Sequence, residues 1–242
     1  MEKESELKIF CLIPALNEKG NLELLVNSLS NILSKHTRGY KIFFVVQGND
    51  GSIDLLKKIK LKNKNLDWIY YKKALGVGRA YLIGFNKIDS KFTHVLTLDA
   101  DLNHDPKAIP GFIQVMEKNR ADLVIGSRFM KGGIFNDNRR WKRVISFFMN
   151  KIMIFMVKIK IHDISSGFRL MKLQLINEIK NELKEKGYPS YMELIICAAK
   201  QGFTLAEVPI VYKARIWGKS KMGKIKTFYD YFLFLQRVFF TL

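Results

Sequence analysis

The run THVLTLDADLNHDP, residues 93–106, joins an apolar strand pattern to the start of a helix. Its first half, residues 93–98, is a short apolar and β-branched run, which predicts a buried strand. Asp105 and Pro106 match an N-cap followed by proline at the first helical position, and they predict a helix to about Asn119. A strand that passes into a helix through a short polar turn is half of a βαβ unit.

The same strand pattern recurs through the first half of the chain. Strands are predicted over residues 8–13, 41–46, 67–71, 93–98 and 122–126. Between the first two, an apolar stripe at helical spacing predicts a helix that covers the sheet. The stripe consists of Leu22, Leu25, Val26, Leu29, Ile32 and Leu33. The alternation predicts an α/β fold with a mostly parallel sheet flanked by helices.

The second half is built differently. After a polar, glycine-containing loop at residues 131–140, helices are expected over residues 173–186 and 190–201, a strand over 203–211, and a last apolar helix from about Lys226. Two broken apolar stretches, 144–159 and 228–242, are too interrupted for full membrane spans. They suit either helices that lie along a membrane or ordinary core helices. No repeat or linker divides the chain, so a single domain over residues 1–242 is expected.

The composition is that of a folded protein with an anionic partner. Of 242 residues, 48% are hydrophobic, which excludes disordered and collagen-like classes. The net charge of +19 favours nucleic acid, phosphorylated substrates or an acidic membrane, although solubility alone could explain it. Cys11 and Cys197 have no metal-ligand spacing, so both are expected to be reduced core residues in a cytosolic setting, and no signal peptide is evident.

The carboxylates that follow the quoted strand are the first candidate site. Asp99 and Asp101 are two residues apart, so an extended backbone places them on one face at the carboxyl end of a strand, where open α/β sheets bind ligands. Two hard oxygen ligands suit Mg²⁺ or Mn²⁺ that bridges to phosphates, and Asn103 could add a third oxygen. The alternative is a polar loop that ends in the helix cap at Asp105.

Other phosphate-binding motifs are missing. Residues 74–79 (ALGVGR) lack the third glycine of a dinucleotide fingerprint, and the first strand leads into Pro14 rather than a glycine-rich turn. No Walker motif is present either. Gly76 and Gly78 could let the backbone approach a nucleotide, or they could form a plain loop before a helix.

Taken together, the motifs resemble glycosyltransferase family 2, and within it the dolichyl-phosphate or polyprenyl-phosphate mannosyltransferase branch. The resemblance covers residues 9–225 approximately. It rests on IPALNE at 13–18, LGVG at 75–78, DADLNHDP at 99–106, GSR at 126–128, SGFRL at 166–170 and GKSKMG at 218–223. The resemblance implies a GT-A fold, a nucleotide-sugar donor, Mg²⁺ or Mn²⁺, and a lipid-phosphate acceptor. Residues 1–130 would then bind the nucleotide sugar, and residues 131–242, with their amphipathic helices, the acceptor.

The resemblance also implies roles for individual residues. The nucleotide sugar would contact Pro14, Asn17, Glu18, Gln47, Asp50, Gly76, Asp99, Ala100 and Asp101. The metal would be held by Asp99, Asp101 and Asn103. The acceptor phosphate would meet Arg128, Lys142, Arg143, Ser146, Arg169, Arg215, Ser220 and Lys221. The catalytic set would be Asp101, Arg128, Arg215 and Lys221, with Glu193 near the sugar or the metal.

One departure from the family pattern concerns the end of the second strand. The family usually reads Val-Val-Asp-Asp there, whereas this chain reads Val45-Val46-Gln47. Asp50 could replace the missing carboxylate, or it could belong to a later Asp-Gly-Ser element. The base or sugar specificity could therefore differ from that of the branch, and the activity could be reduced.

The resemblance implies an inverting transfer of a hexose, mannose from GDP-mannose first, to a polyprenyl or dolichyl phosphate at the cytosolic face of a membrane. The basic loop at residues 213–226 could act as a lid, Trp217 could lie at the membrane interface, and a small membrane subunit could anchor the chain. Other interpretations are a family 2 enzyme that uses another nucleotide sugar such as UDP-glucose, an inactive relative, and a nucleic-acid-binding protein, although no nucleic-acid partner is expected. A processive polysaccharide synthase is disfavoured because residues 139–141 (RRW) lack the glutamine of its Gln-x-x-Arg-Trp pattern.

Overall fold

The computed structural model describes residues 7–137, 139–215, 217–218 and 223–241. Strands and helices alternate through the first half, as the sequence predicts. The strands are β1 Lys8–Leu16, β2 Gly39–Gln47, β3 Leu66–Tyr71, β4 His94–Thr97, β5 Leu123–Ser127, β6 Ile134–Phe135, β7 Arg169–Lys172, β8 Leu205–Pro209 and β9 Val211–Tyr212. The helices are α1 Lys19–His36, α2 Ser52–Lys60, α3 Val77–Phe85, α4 Ile109–Asn119, α5 Arg140–Val157, α6 Leu173–Ile179, α7 Ser190–Lys200 and α8 Lys224–Thr241.

The main sheet has the strand order β3-β2-β1-β4-β7-β5-β8 within the described ranges. Only β7 runs antiparallel to its neighbours β4 and β5, and the other pairs are parallel. The chain runs outward from β1 to β3 and then returns to the other side of β1 with β4. This reversal is a topological switch point, the place where open α/β sheets bind ligands.

Side chains of β1 show how both faces of the sheet are buried. Ile9, Cys11 and Ile13 belong to one core with α1, α2 and α4, whereas Phe10 and Leu12 belong to a second core with α3, α5, α7 and α8. This alternation follows from the two-residue period of a strand. The free Cys11 is fully buried and the free Cys197 half-buried.

Two predicted elements in the second half are wrong in extent. The helix expected over residues 173–186 ends at Ile179, and farther along the backbone N–H groups of Lys184 and Glu185 donate to the Glu193 carboxylate instead of to helix carbonyls. The strand expected over residues 203–211 is divided into β8 and β9 by Ile210, and β9 pairs with β6 outside the main sheet.

The helix predicted after Asp105 begins with a 3₁₀ turn, Pro106–Ala108, before α4. The Asp105 carboxylate accepts a hydrogen bond from the Lys107 N–H at 3.0 Å, which confirms the predicted cap. In the part of the chain that the structure describes, no helix combines the length and the apolarity needed to cross a bilayer.

Candidate functional site

A cavity of about 660 Å³ opens at the carboxyl ends of β1, β2 and β4. Its walls come from both halves of the chain, with the strand ends on one side and the segment before α7 together with α8 on the other. The lining includes Pro14, Glu18, Gln47, Leu75, Gly76, Asp99, Ala100, Asp101, Lys142, Lys184, Lys186, Tyr188, Tyr191, Tyr212, Arg215, Lys226 and Arg237. Carboxylates lie at the sheet edge, and the opposite rim carries four cations together with the carboxylates Glu185 and Asp230.

Asp99 and Asp101 meet in this cavity, as their spacing predicts. The Tyr191 hydroxyl donates to Asp99 Oδ1 at 2.8 Å, and burial together with this carboxylate raises the pKa of Tyr191 well above its ordinary value. Asp101 accepts from Arg215 through Oδ2 at 2.7 Å and from the Asn103 N–H through Oδ1 at 3.2 Å. Asp99 thus retains open carboxylate surface, whereas Asp101 is held by the chain itself.

Arg215 links two carboxylates from distant parts of the sequence. Its Nη1 donates to Glu18 Oε1 at 2.9 Å, and its Nη2 donates to Asp101. Burial opposes the charge of this guanidinium, but Asp101 and Glu18 outweigh it and raise the pKa of Arg215 above its ordinary value. Arg215 therefore lines the cavity between these two carboxylates, and Trp217 packs against Gly20, where a Cβ atom would overlap its ring.

Some of the residues predicted to contact the nucleotide line the cavity, and others do not. Pro14, Gly76 and Ala100 line the cavity. Gly76 has φ +90°, and a Cβ there would lie 2.4 Å from the Lys186 carbonyl oxygen, so this close approach requires glycine. Asn17 instead accepts from the Asn49 N–H at 3.0 Å and does not line the cavity.

Asp50 also lies outside the cavity lining. Its carboxylate accepts from the N–H groups of Lys19 and Ser52 and from the Ser52 hydroxyl, and it thereby stabilises the start of α2. Burial opposes its ionisation, but these hydrogen bonds lower the pKa of Asp50. The idea that Asp50 replaces the carboxylate missing at Gln47 is therefore not supported by its position.

Asn103 is not brought to the cavity either. It is 2% exposed, and its amide nitrogen donates to the Tyr212 hydroxyl. Its Oδ1 is buried without a hydrogen-bond partner in the described residues. The residue before it, Leu102, has a left-handed backbone with φ +60°.

A narrow side pocket leads from the cavity to the predicted acceptor residues Arg128, Lys142 and Ser146. Arg128 forms a buried ion pair with Asp163, with Nε to Oδ2 at 2.7 Å and Nη2 to Oδ1 at 2.9 Å. Lys142 donates to the Tyr212 hydroxyl at 2.8 Å and lines both pockets. The charge of Arg128 is thus fixed in place, and Lys142 lies between the two pockets.

The remaining predicted acceptor residues lie elsewhere. Arg143 is exposed on the surface of α5. Arg169 is 2% exposed and donates to the backbone carbonyls of Ile164 and Tyr191, so it supports the wall of the site from within the core. Ser220 and Lys221 lie outside the described residues.

Glu193 lies behind the cavity wall rather than in it. Its two oxygens accept from the N–H groups of Lys184 and Glu185 at 2.9 and 2.8 Å. Burial raises the pKa of Glu193 although these hydrogen bonds oppose the shift. The carboxylate therefore fixes the segment that carries the lysines of the cavity rim.

Several lining residues were missed by sequence reasoning. Tyr188 and Tyr191 flank Asp99, and Tyr212 joins Asn103 to Lys142. The segment YPSY at 188–191, with its two tyrosines and a proline, was the available signal. Only the folded chain shows that these tyrosines face the carboxylates, since they are about 90 residues or more from them in sequence.

Two helices expose apolar faces next to the cavity. In α8, Thr227, Tyr231, Phe234 and Val238 form a buried stripe at the spacing typical of an amphipathic helix, while aromatic side chains face outward. The most exposed apolar side chains on the two helices are those of Val144, Phe148 and Phe155 on α5 and of Ile225, Phe228, Phe239 and Phe240 on α8. The two helices pack against each other, so their outer faces are adjacent.

Within the described ranges, no three His, Cys, Asp or Glu side chains cluster so as to hold a metal ion. Asp99 and Asp101 offer carboxylate oxygens at the end of β4, and the unpaired Oδ1 of Asn103 belongs to the same turn. A divalent cation here would need further oxygens from a substrate, which is the usual coordination of Mg²⁺ at phosphates.

Comparison with known proteins identifies relatives over most of the chain. The family model for glycosyl transferase family 2 matches residues 10–180. The chain is 31% identical over 217 residues to a polyprenol monophosphomannose synthase of Mycolicibacterium smegmatis, covering 88% of this chain and 80% of that protein. It is 30% identical over 238 residues to a dolichol-phosphate mannosyltransferase of Pyrococcus furiosus, covering 96% of this chain and 64% of that protein.

Solved structures agree on the fold. Glucosyl-3-phosphoglycerate synthase of Mycobacterium tuberculosis, in complex with Mn²⁺, UDP and phosphoglyceric acid, superposes with a TM-score of 0.64 at 16% identity, covering 92% of this chain and 73% of that one. Its complex with Mn²⁺, UDP-glucose and glycerol 3-phosphate gives the same score and identity. This likeness confirms the mostly parallel GT-A architecture.

Proposed function

The chain belongs to glycosyl transferase family 2 and is a glycosyltransferase, and on this basis we propose that it transfers a hexose from a nucleotide sugar to a polyprenyl or dolichyl phosphate. One observation carries the proposal. A single cavity joins the carboxylates Asp99 and Asp101 to a rim with more cations than carboxylates, and that rim borders the exposed apolar faces of α5 and α8. An acceptor with a phosphate head and a long apolar tail matches this arrangement.

The preferred donor in this proposal is GDP-mannose, because the names of two relatives at 30–31% identity describe mannosyl transfer to a polyprenol or dolichol phosphate. A second candidate, another nucleotide sugar such as UDP-glucose, is favoured by Gln47. It stands on the cavity wall at the position where the family usually has an aspartate.

The oxygen ligands in the cavity fit a divalent metal, Mg²⁺ or Mn²⁺. Asp99 and Asp101 are hard carboxylate ligands in the cavity, and Asp99 keeps accessible carboxylate surface. Asn103 does not line the cavity, although its Oδ1 is buried without a hydrogen-bond partner among the described residues. When bound, such a metal supplies positive charge that neutralises the leaving diphosphate.

The proposed reaction is an inverting displacement at the anomeric carbon. A phosphate oxygen of the acceptor forms a bond to that carbon, and the bond from the carbon to the diphosphate oxygen breaks, so the nucleoside diphosphate leaves with the electron pair. A phosphomonoester has a second pKa of about 6, so its oxygen is already anionic at neutral pH and needs no strong base. Lys142, which lines both the cavity and the side pocket, would hold and align this anion.

Arg215 and the tyrosines complete the assignment of roles. Arg215, held between Glu18 and Asp101, would stay beside the diphosphate and add positive charge there. Tyr191 would orient Asp99 through its hydrogen bond. The side pocket at Arg128 and Ser146 would receive the acceptor phosphate, with Asp163 fixing the guanidinium.

The membrane is part of the proposal. The outward apolar faces of α5 and α8 would lie in the interfacial region at the cytosolic face, so that the acceptor reaches the cavity without leaving the bilayer. A small membrane subunit that docks on the same faces is a further partner in this scheme.

The test is a transfer assay with the purified protein. It would be incubated with Mn²⁺ or Mg²⁺, a short polyprenyl phosphate in detergent and a panel of radiolabelled nucleotide sugars, and label extracted into organic solvent would be counted. Lipid-borne label from GDP-mannose is the expected result, and label from UDP-glucose alone would replace the preferred donor by the second candidate. No lipid-borne label from any donor, with folded protein that still binds nucleotide, would contradict the proposed reaction.

A further inference from the structure

A second concave surface lies at the end of the sheet opposite the cavity. It is a groove of about 540 Å³ along the amino ends of β1, β2, β3 and β4, and Lys8 at the start of β1 lines it. Pro14, on the same strand, lines the cavity, and the six residues of strand between them span about 20 Å. A ligand in this basic groove would therefore not touch a molecule in the cavity.

The lining of the basic groove contains cations and, among the described residues, no carboxylate. Four separate segments of the chain supply its five cations, which are Lys8, Arg38, Lys41, Lys64 and Lys91. This arrangement differs from the solvated face of one helix, because the fold brings residues that are distant in sequence to one concave surface. Like charges held together repel each other, so an anion between them would be bound favourably.

Two of the five charges are already compensated by carboxylates outside the lining. The Nζ atom of Lys41 lies 3.0 Å from Asp67 Oδ2, and that of Lys91 lies 3.3 Å from Asp89 Oδ2. The other three cations are exposed and form no ion pair with any residue that the structure describes; they are Lys8, Arg38 and Lys64. The basic groove thus has three positive charges available for a ligand.

The cavity accounts for little of the net charge of +19. Its lining holds six cations and five carboxylates, namely Lys142, Lys184, Lys186, Arg215, Lys226 and Arg237 against Glu18, Asp99, Asp101, Glu185 and Asp230. These charges nearly balance. Positive charge is therefore more concentrated in the basic groove than in the cavity.

The composition of the basic groove favours phosphate over other anions. Four of its five cations are lysines, whose compact ammonium groups suit phosphate as point charges, whereas the planar fork of arginine matches carboxylates. Nucleic acid is disfavoured because single strands stack their bases on exposed aromatic rings. Phe92 in the lining is 8% exposed, with its ring packed on Phe10, and Tyr40 is half-buried.

We propose that the basic groove binds a ligand with several linked phosphates, an oligophosphate that is either free or carried on a nucleotide. Its phosphates would lie among the three uncompensated cations, Lys8, Arg38 and Lys64. The hydroxyl of Tyr40 and the amide of Asn65, which also line the groove, would donate to further phosphate oxygens. The volume is that of a small-molecule site, and the ligand and a molecule in the cavity could be bound at the same time.

The test removes the three uncompensated charges. A groove variant carries Lys8→Gln, Arg38→Gln and Lys64→Gln. A control variant removes three exposed lysines outside the groove, through Lys57→Gln, Lys118→Gln and Lys151→Gln. Calorimetric titration with sodium tripolyphosphate at about 0.05 M salt would give the affinity of each protein, and EDTA would keep divalent metal from the cavity. We expect the groove variant to bind at least about tenfold more weakly than the unmodified protein, as for three exposed charge contacts, and the control variant to stay within about twofold.

Three further titrations identify the anion. Butanetetracarboxylate has a charge similar to that of tripolyphosphate but no phosphate, and it should bind at least about tenfold more weakly, because it lacks the tetrahedral oxygens that lysines bind. An oligouridylate that carries four phosphates should also bind more weakly. The ratio of the affinities for ATP and tripolyphosphate, measured as the part lost in the groove variant, then tells a nucleotide-borne phosphate chain from a free one.

Several results would overturn the proposal: no binding of tripolyphosphate to the unmodified protein, equal affinities of the groove and control variants, or a preference of the groove for the tetracarboxylate or the oligouridylate. If the groove variant does not fold, Lys64→Gln alone should weaken tripolyphosphate binding by about threefold, and an unchanged affinity would overturn the proposal. None of these titrations uses a sugar donor or a lipid acceptor, so their results stand apart from the proposed function.

Discussion

At the scale of single residues, the ion pairs of Arg215 with Glu18 and Asp101 connect the parts of the site. Arg215 reaches Glu18 at the start of α1 and Asp101 after β4, so three separate segments of the chain meet at one guanidinium. A planar guanidinium can bind two carboxylates at once, which a lysine cannot do with the same geometry. The bridge holds the segment after β9 against the cavity.

The first prediction concerns Asp101. Asparagine has nearly the same shape as aspartate but lacks the negative charge, so Asp101→Asn should lower hexose transfer by about a hundredfold or more, as for loss of one charged group at a reacting centre. Metal-dependent nucleotide binding, measured by titration calorimetry, should fall in parallel. The fold should be retained, because asparagine can still accept from Arg215.

The matched control is Asp89→Asn, which changes the same charge at an exposed position paired with Lys91. It should leave transfer within about twofold of the unmodified protein, as expected for an exposed surface ion pair. Equal activity of Asp101→Asn and the control would remove Asp101 from the mechanism.

The second prediction concerns the buried ion pair of Arg128 and Asp163. Removing one partner leaves the other as an unpaired buried charge, so Asp163→Asn should lower the free energy of unfolding by about 3–5 kcal/mol. Urea unfolding monitored by circular dichroism would measure the change, and a loss under about 1 kcal/mol would contradict a buried pair.

The same pair predicts a pH dependence. Burial by itself would raise the pKa of Asp163, but Arg128 and its hydrogen bonds outweigh it and lower the pKa. The stabilisation is therefore complete above pH ~4, the pKa of an unfolded aspartate, and is lost as the pH falls through the lower pKa of the folded state. The difference in the free energy of unfolding between the unmodified protein and Asp163→Asn should therefore decrease as the pH falls from about 4 through the folded-state pKa of Asp163. A constant difference would refute this interpretation.

Residue roles were only partly predictable from sequence. The i, i+2 spacing of Asp99 and Asp101 was enough to place both in the cavity, since a strand end fixes their direction. The same reasoning did not bring Asn103 into the cavity lining: the residue before it has a left-handed backbone, and its amide nitrogen donates to Tyr212. Hydrogen bonds to residues more than 100 positions away, as between Asn103 and Tyr212, leave no local signal in a sequence.

At the scale of helices and strands, α5 and α8 are the elements that set this chain apart from a bare α/β domain. Each presents one stripe to the core and aromatic side chains to the outside. A single exposed apolar residue is ordinary on a protein surface, whereas two adjacent helical faces of this kind are typical of an interaction surface.

The third prediction tests whether this surface binds lipid. The double variant Phe155→Ser, Phe240→Ser removes the outermost aromatic side chain of each helix, 84% and 82% exposed. Vesicle binding should fall by about tenfold or more, since each inserted phenylalanine contributes on the order of 1 kcal/mol. Sedimentation with phosphatidylcholine vesicles would measure the change.

Leu61→Ser is the control, because Leu61 is 87% exposed at the end of α2, a helix that packs on the opposite face of the sheet from α5 and α8. It should leave vesicle binding unchanged. A double variant that sediments like the control would refute an interfacial role for α5 and α8.

The sequence predicted the strands better than the helix ends. Five predicted strands occur within a few residues of their expected limits, because alternation and apolar runs are local. The predicted end of α6 was wrong, and the N–H groups of Lys184 and Glu185, which a helix to residue 186 would pair with its own carbonyls, donate to the carboxylate of Glu193 on α7. Such competition arises only once the two segments are packed together.

At the scale of the whole molecule, the charge of +19 and the position of the cavity act together. Lysines and arginines surround the cavity rim and adjoin the apolar faces, among them Lys151, Lys226 and Arg237. A positive surface of this kind attracts anionic lipids as well as phosphate substrates.

The fourth prediction follows from this charge. Binding to vesicles that contain phosphatidylserine should weaken markedly between about 0.05 M and 0.5 M salt, since the screening length falls below about 5 Å. Binding to phosphatidylcholine vesicles alone should change little over the same interval. Equal salt dependence with both vesicles would show that the net charge plays no part in membrane attachment.

The central claim is that this glycosyltransferase acts on a lipid that carries a phosphate, and the choice of acceptor tests it most directly. The purified protein with Mn²⁺ and its best labelled nucleotide sugar would be offered a polyprenyl phosphate, the matching polyprenol without phosphate, and glycerol 3-phosphate in parallel. Mass spectrometry of the products should show one added hexose on the polyprenyl phosphate and none on the other two. Transfer to glycerol 3-phosphate or to the polyprenol in preference to the polyprenyl phosphate would contradict the account.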